Sequence, residues 1–224
     1  MPVSSPRPLR GPLGLLAVPV LLFVLITWQV VADGPLVGMD ERVSRALVHP
    51  DRLSELLADL GNVQVAVPVL ALALAGVAWL GRARGVDRWW LPPLAGAAAM
   101  VLVPVLVAPL KEWTDRPGTP AVPPAVGYYP SGHTATALVA YGAATLLLLP
   151  LLRAPAVRRL LVVVCAVLVL GVSYGLVRRG YHWPLDVVAS WCLGAVLLTG
   201  VWSLLSRSTR RRPSGTPSSR TGPS

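Results

Sequence analysis

Three short stretches of this sequence hold side chains that bind anions or move protons: residues 111 to 117, opened by Lys111 and closed by Arg116 and Pro117; the tetrapeptide Pro130, Ser131, Gly132, His133; and residues 181 to 186, with His182 and Asp186. His182 and Asp186 are four residues apart, and Pro184 favours a helix start between them, so one helical turn sets the carboxylate beneath the imidazole. A carboxylate on one ring nitrogen fixes the tautomer and makes the other nitrogen a better nucleophile or base. The plain alternative is a capping contact. Ser131, Gly132 and His133 fall where a loop enters an apolar segment, the place where the first free amides of a helix attract an anion. Glycine lets an anion approach the backbone, serine adds a hydroxyl, and histidine both hydrogen-bonds an oxygen and delivers a proton. A serine N-cap followed by a solvated histidine is the simpler reading of the same four residues. Lys111 is the only lysine among 20 basic residues, so arginine serves wherever a cation alone is needed. A compact ammonium follows phosphate oxygens as a planar guanidinium does not. A snorkelling anchor at a span end is the alternative.

The elements that must position these groups are membrane helices. The chain has 224 residues, of which 54% are hydrophobic and 13% charged, more apolar surface than one soluble core can hide. Apolar runs over residues 12 to 32, 63 to 80, 91 to 110, 134 to 152, 160 to 177 and 184 to 205 each approach the roughly 20 residues that cross a bilayer. They predict an all-α, polytopic bundle of six spans. The first reads as a span rather than a cleavable signal, because it is long and lacks a small-x-small exit. Cys165 and Cys192 fall inside apolar runs and read as small buried hydrophobes.

Charge sorts by loop. Residues 1 to 11, 81 to 90, 153 to 159 and 206 to 224 hold thirteen arginines against one acid, Asp87, whereas the remaining segments hold seven basic residues against nine acids. Arginine excess marks the cytoplasmic side, which puts both termini inside and the loops 33 to 62, 111 to 133 and 178 to 183 outside. The net charge of +10 is therefore a membrane-topology signal and not a nucleic-acid patch. All three chemistry-bearing stretches then lie at one extracytoplasmic face of a multi-pass cell-membrane protein. Residues 40 to 60 have apolar positions at helical spacing amid charges and predict one or two short helices on that surface, with a lid over an entry as the functional alternative. His49 reads as a solvated residue there. Three regions result: a basic cytoplasmic N-terminus at 1 to 11, the membrane domain at 12 to 205, and a disordered basic tail at 206 to 224.

Taken together, the three stretches resemble the type 2 phosphatidic acid phosphatase superfamily. Its first motif is a lysine, six residues, then Arg-Pro; its second is Pro-Ser-Gly-His; its third is Ser-Arg, five residues, His, three residues, Asp. The second is complete here, and His182 to Asp186 keeps the spacing of the third. Counting from Lys111 lands on Gly118 where the family has arginine, and counting back from His182 lands on Leu176, preceded by Gly175 in place of serine. Arg116 and Arg179 are expected to substitute from shifted positions. The resemblance implies that His182, oriented by Asp186, attacks phosphorus to form a phosphohistidine while His133 protonates the leaving oxygen and later activates water. It also implies that Lys111, Arg116, Ser131, Gly132 and Arg179 hold the phosphate, with no metal or cofactor required. The expected substrate is a phospholipid or polyprenyl phosphate or diphosphate drawn from the bilayer. A phosphotransferase, or a degenerate member that binds anionic headgroups, is the alternative.

Overall fold

A computed structural model of the chain describes residues 12–210, and among these the regular structure is all helical, without a strand. In chain order the helices are α1 (Pro12–Val31), α2 (Pro35–Leu47), α3 (Arg52–Asp59), α4 (Val63–Ala83), α5 (Leu91–Thr114), α6 (Gly132–Leu148, extended by a single 3₁₀ turn to Leu151), α7 (Pro155–Arg178) and α8 (Pro184–Arg210). Five of them, α4 to α8, are long and apolar enough to cross a membrane, and the pair α1 and α2, bent by 89°, supplies up to a sixth. The chain is a multi-pass membrane protein. The stretch 40 to 60 forms two short helices, as its periodicity implies. Helix α8 runs five residues past the expected end of the last span. The proposed N-terminal segment 1 to 11, and residues 211 to 224 of the proposed tail, lie outside the described residues.

Helix α6 is the axis of the bundle and touches α4, α5, α7 and α8. Its sequence is rich in Gly, Ala and Thr, and twelve of its residues are buried. Small residues bring helix backbones close where lipid supplies no hydrophobic drive for association. At the crossing with α8 the fit is reciprocal: a Cβ on Gly142 would stand 2.5 Å from Leu198, and one on Gly194 would stand 2.5 Å from Leu138. Each glycine is the hole for a leucine of the other helix.

The end of the bundle that carries the chemistry is built by contacts that cross between loops. Asp51 caps α3 by accepting from the Ser54 amide at 2.7 Å while Ser54 bonds back, and it also accepts from Arg178 Nε at 2.7 Å. The Ser54 amide and then Arg178 hold the Asp51 carboxyl down to about 2. Helix α3 thereby lies on α7, where Gly175 receives it: a Cβ there would meet Ser54 and Ala58 backbone at 2.6 Å. No serine fits at that position. Gly180, at φ 71°, ends α7, and its carbonyl accepts from Thr119 Oγ1, which joins the loop after α5 to the loop before α8. Tyr129, fully buried, shares a 2.7 Å hydrogen bond with Thr27 of α1, and burial pushes its phenol up.

The α6 to α8 crossing sets a direct expectation. Gly142→Ala, which forces its Cβ onto Leu198, destabilises the protein by about 1–3 kcal/mol. Adding Leu198→Ala recovers part of the lost melting temperature in detergent, and a double variant no more stable than Gly142→Ala removes this account of the packing.

Candidate active site

The C-terminal end of α5, the N-terminal ends of α6 and α8, and the loops beside them meet at one end of the bundle. There a cavity of about 740 Å³ opens, and Lys111, Gly132, His133 and His182 all line it. Four residues from three separate stretches of sequence thus share one space.

His182 is nearly buried, and its Nδ1 is 3.2 Å from Asp186 Oδ2. In the neutral ring Nδ1–H donates to the carboxylate, which leaves the Nε2 lone pair as the free one. Asp186 is fully buried, and its carboxylate accepts from three donors: His182 and the Trp183 amide (3.1 Å) on Oδ2, and Arg116 Nη1 (2.5 Å) on Oδ1. The imidazoles of His133 and His182 stand 6.3 Å apart, centroid to centroid, at 60°. That spacing leaves room for one phosphoryl group between them, given near-attack distances of about 3–3.5 Å.

The N-terminus of α6 opens on the same cavity. Ser131 Oγ accepts the Thr134 amide at 3.3 Å, and the Ser131 carbonyl accepts the Ala135 amide at 3.1 Å. The two amides before these, of Gly132 and His133, stay available, and nothing lies within 4 Å of where a Gly132 Cβ would be. Lys111 Nζ donates to the Gly127 carbonyl at 2.6 Å, which uses one of its three protons. The ammonium is thereby held at the cavity wall with two donors to spare.

Three expected phosphate ligands sit elsewhere. Ser131 is fully buried and spends its hydroxyl as the α6 cap, so it does not line the cavity. Arg116 is buried behind Asp186: Nη1 reaches Asp186 and Nη2 reaches Asp40 Oδ2 at 2.6 Å, while its guanidinium lies 5.5 Å from the Trp183 ring centroid. Two carboxylates occupy this guanidinium, and none of it faces the cavity. Arg179 lies over its near neighbour Tyr181, 5.3 Å from the ring centroid and 3.1 Å from its hydroxyl, because a side chain just past the end of α7 reaches the residue two ahead sooner than it reaches across the loop. The substitution of shifted arginines for the family pair is thus not what the geometry brings together. Gly118 and Leu176, the positions in family register, have their own occupants. A Cβ on Gly118 would strike the Tyr128 ring at 2.7 Å, and Leu176 is packed in the core. Lys111 is left as the one permanent cation among the residues lining the cavity.

Two residues escaped the sequence reading. Tyr128 lines the cavity edge-on to His182, at 5.8 Å between centroids, and lies 5.9 Å from Lys111 Nζ. Its position directly before the Tyr-Pro-Ser-Gly-His run was the available signal. Asp40, on α2, bonds Arg116 and the Leu185 amide (2.9 Å). Its i,i+4 spacing from Ser44, the other buried residue of α2, is the trace it leaves in the sequence. His49 is exposed, and Cys165 and Cys192 are free thiols away from the cavity.

A helical membrane bundle with two imidazoles, an ammonium and a helix N-terminus around one cavity defines a phosphate-handling class. The family model for the PAP2 superfamily matches residues 94–210, just over half of the sequence, and this chain belongs to that superfamily. A crystal structure of a transmembrane PAP2-type phosphatidylglycerolphosphate phosphatase from Bacillus subtilis superposes with a TM-score of 0.71 over 90% of this chain and 98% of that one, at 23% identity, which speaks to the fold. An undecaprenyl-diphosphatase from Sulfolobus acidocaldarius is 48% identical over 67 residues, which take in 30% of this chain and 28% of that protein.

The placement of the two arginines separates their effects. Arg116→Leu leaves two buried carboxylates without their cation and lowers stability by about 3–5 kcal/mol, whereas Arg179→Ala leaves the melting temperature within a degree or two of the parent. Equal melting temperatures for both variants would contradict the buried clamp.

Proposed function

We propose that this protein is a membrane phosphatase that hydrolyses a lipid phosphate or diphosphate monoester at the extracytoplasmic face through a phosphohistidine intermediate. The observation that carries the reading is the division of the cavity. One end holds Lys111, Gly132, His133 and His182; the rest is a strip of α5 formed by Met100, Val103, Pro104 and Val107, with Val67 of α4 facing it. From Lys111 to Met100 that strip descends about 16 Å into the apolar part of the bundle, at 1.5 Å per residue. An anion with a hydrocarbon tail matches both halves at once, and a phospholipid or polyprenyl phosphate has that form. The names of the two relatives, one acting on phosphatidylglycerolphosphate and one on undecaprenyl diphosphate, fall within the same class.

In the proposed reaction His182 Nε2 attacks phosphorus, and Asp186 stabilises the positive charge that grows on the ring. His133 gives its proton to the departing ester oxygen and then takes one from the water that cleaves the phosphohistidine. Lys111 and the Gly132 and His133 amides meet the charge on the equatorial oxygens. Among the described residues no three His, Cys, Asp or Glu side chains gather as a metal-binding group, and none of these steps is routed through a metal. The loop charge supports the orientation, since the arginine-poor loops carry the site.

A second reading keeps the binding and drops the turnover: a headgroup-binding protein with a degenerate site. The absence of both arginines from the cavity favours it. Purified protein in detergent and excess EDTA, given a panel of lipid monophosphates and diphosphates, decides between the two. Phosphate release is expected from at least one lipid and not from water-soluble glycerol phosphate; binding without release supports the second reading. His182→Ala abolishes release, and His133→Ala lowers it by about 10²–10⁴-fold, the usual worth of general acid-base catalysis. Unchanged rates in either variant remove the assigned roles.

Gly132→Ala tests the anion cradle independently. The new methyl meets no protein atom and points into open space, so folding is preserved while phosphate approach is hindered. A rise in KM of about tenfold with an unchanged melting temperature is expected, equivalent to one lost contact of roughly 1.4 kcal/mol.

A further inference from the structure

His182 stands two residues before α8 and Asp186 lies in its first turn, and that turn is capped in an unusual way. Asp186, in that turn, bonds back to the Trp183 amide at 3.1 Å, which is one half of a capping box. The other half requires a short polar side chain just before the helix, and Trp183 stands there. Asp40 of α2 supplies it from 145 residues away, accepting the Leu185 amide on Oδ1 at 2.9 Å. Its other oxygen takes Arg116 Nη2. All three charged groups are sealed from solvent, with relative exposures of 2% for Asp40, 5% for Arg116 and 0% for Asp186. Two carboxylates therefore divide one guanidinium, and with both of them ionised the cluster carries a net charge of −1.

We propose that Asp40 is a positioning residue for the reaction: it holds the α8 N-terminus in place and draws off half of Arg116, so that the negative charge of Asp186 remains available to His182. With Arg116 opposing Asp186 alone, the pair would be neutral as a whole, and the guanidinium would offset more of the field that Asp186 exerts on His182 as the ring becomes positive. With Asp40 sharing the guanidinium, the surplus charge of −1 is cancelled when His182 becomes cationic in the transition state. The gain appears where charge develops and not in the resting site. This inference rests on the phosphatase reading and adds to it a residue on an element outside the family match, which begins at residue 94.

The groups that face His182 are Asp186 on α8, Arg116 and Tyr128 in the loop after α5, Lys111 on α5, His133 on α6, and Asp40 on α2 behind Arg116. Of these, only Asp40 and Arg116 can be neutralised without removing a group that lines the cavity or touches the imidazole. The test is the pH profile of kcat/KM on one lipid phosphate for the parent, Asp40→Asn, Arg116→Gln and the double variant; with one substrate throughout, differences in profile belong to the protein. Asp40→Asn keeps an oxygen for the Leu185 amide but removes the charge. It is expected to lower kcat about tenfold at similar KM and to move the acid limb down by about one pH unit, the scale of one charge at this range under partial screening. Arg116→Gln moves the limb up, and the double variant, again at −1, returns toward the parent. Asp40→Glu, which retains the charge, keeps the parental limb even where the rate falls and serves if Asp40→Asn does not fold. A purely structural Asp40 would lower the rate or the melting temperature without moving the limb, and that result, or a double variant that fails to return, overturns the proposal. A parent protein inactive on every lipid overturns the phosphatase reading and this role with it, whereas an active parent with an unmoved limb overturns the role alone.

Discussion

A carboxylate buried at the start of a membrane helix governs the architecture of this end of the molecule. Asp186 is fully sealed, and an ionised group there is tolerated only when surrounded by donors. Arg116, His182 and the Trp183 amide provide them, from two loops. Satisfying Asp186 therefore fixes where the loop after α5 runs and how α8 begins. The Ser131 amide donates to the Asp186 carbonyl, and Ser190 donates to the carbonyls of both Ser131 and Asp186, so the start of α6 is registered against the same turn. The relative position of His133 and His182 follows from those bonds.

The cavity is poor in cations. Lys111 stands on its wall, held by the Gly127 carbonyl, while the arginines flanking the site are turned to other partners. The groups it offers to an anion are one ammonium, two helix-terminal amides and the imidazoles. Amides at a helix end are fixed in direction and need no reorganisation, which suits a charge that shifts during reaction. Tyr128 closes one side of this pocket and fills the space beside Gly118.

Much of this was legible in the residues. The six apolar runs coincide with helices to within a few residues, because the cost of unpaired backbone in lipid leaves a membrane segment few other options. Lys111, His133, His182 and Asp186 could be gathered from sequence since each adjoins a span end on the same side, and spans are parallel by necessity. Direction within a loop was another matter. Arg116 lies two residues from the expected register, and counting could not tell whether it faces phosphate or a buried carboxylate; the partner that decides this, Asp40, is 76 positions away. Arg179, at the C-cap of α7, still places its amide on the Gly175 carbonyl, yet its side chain turns to Tyr181, a choice that position along the chain does not reveal. Gly118 and Gly175 look like lost side chains in the sequence. In three dimensions each makes room for a neighbour, the Tyr128 ring in one case and the α3 backbone in the other.

The family match begins at residue 94 and contains Lys111, both imidazoles and Asp186, yet the cavity wall borrows Gly61, Val63 and Val67 from before it, and Arg116 is shared with a residue earlier still. The portion that identifies the chain is consequently not autonomous. Cut at the boundary of that match, it would keep Lys111, both imidazoles and Asp186, lose one side of the cavity, and leave Arg116 with one of its two carboxylates. Helices α2 and α4 are therefore as much a part of this end of the molecule as the three motifs, and a change in them is felt by side chains on other helices.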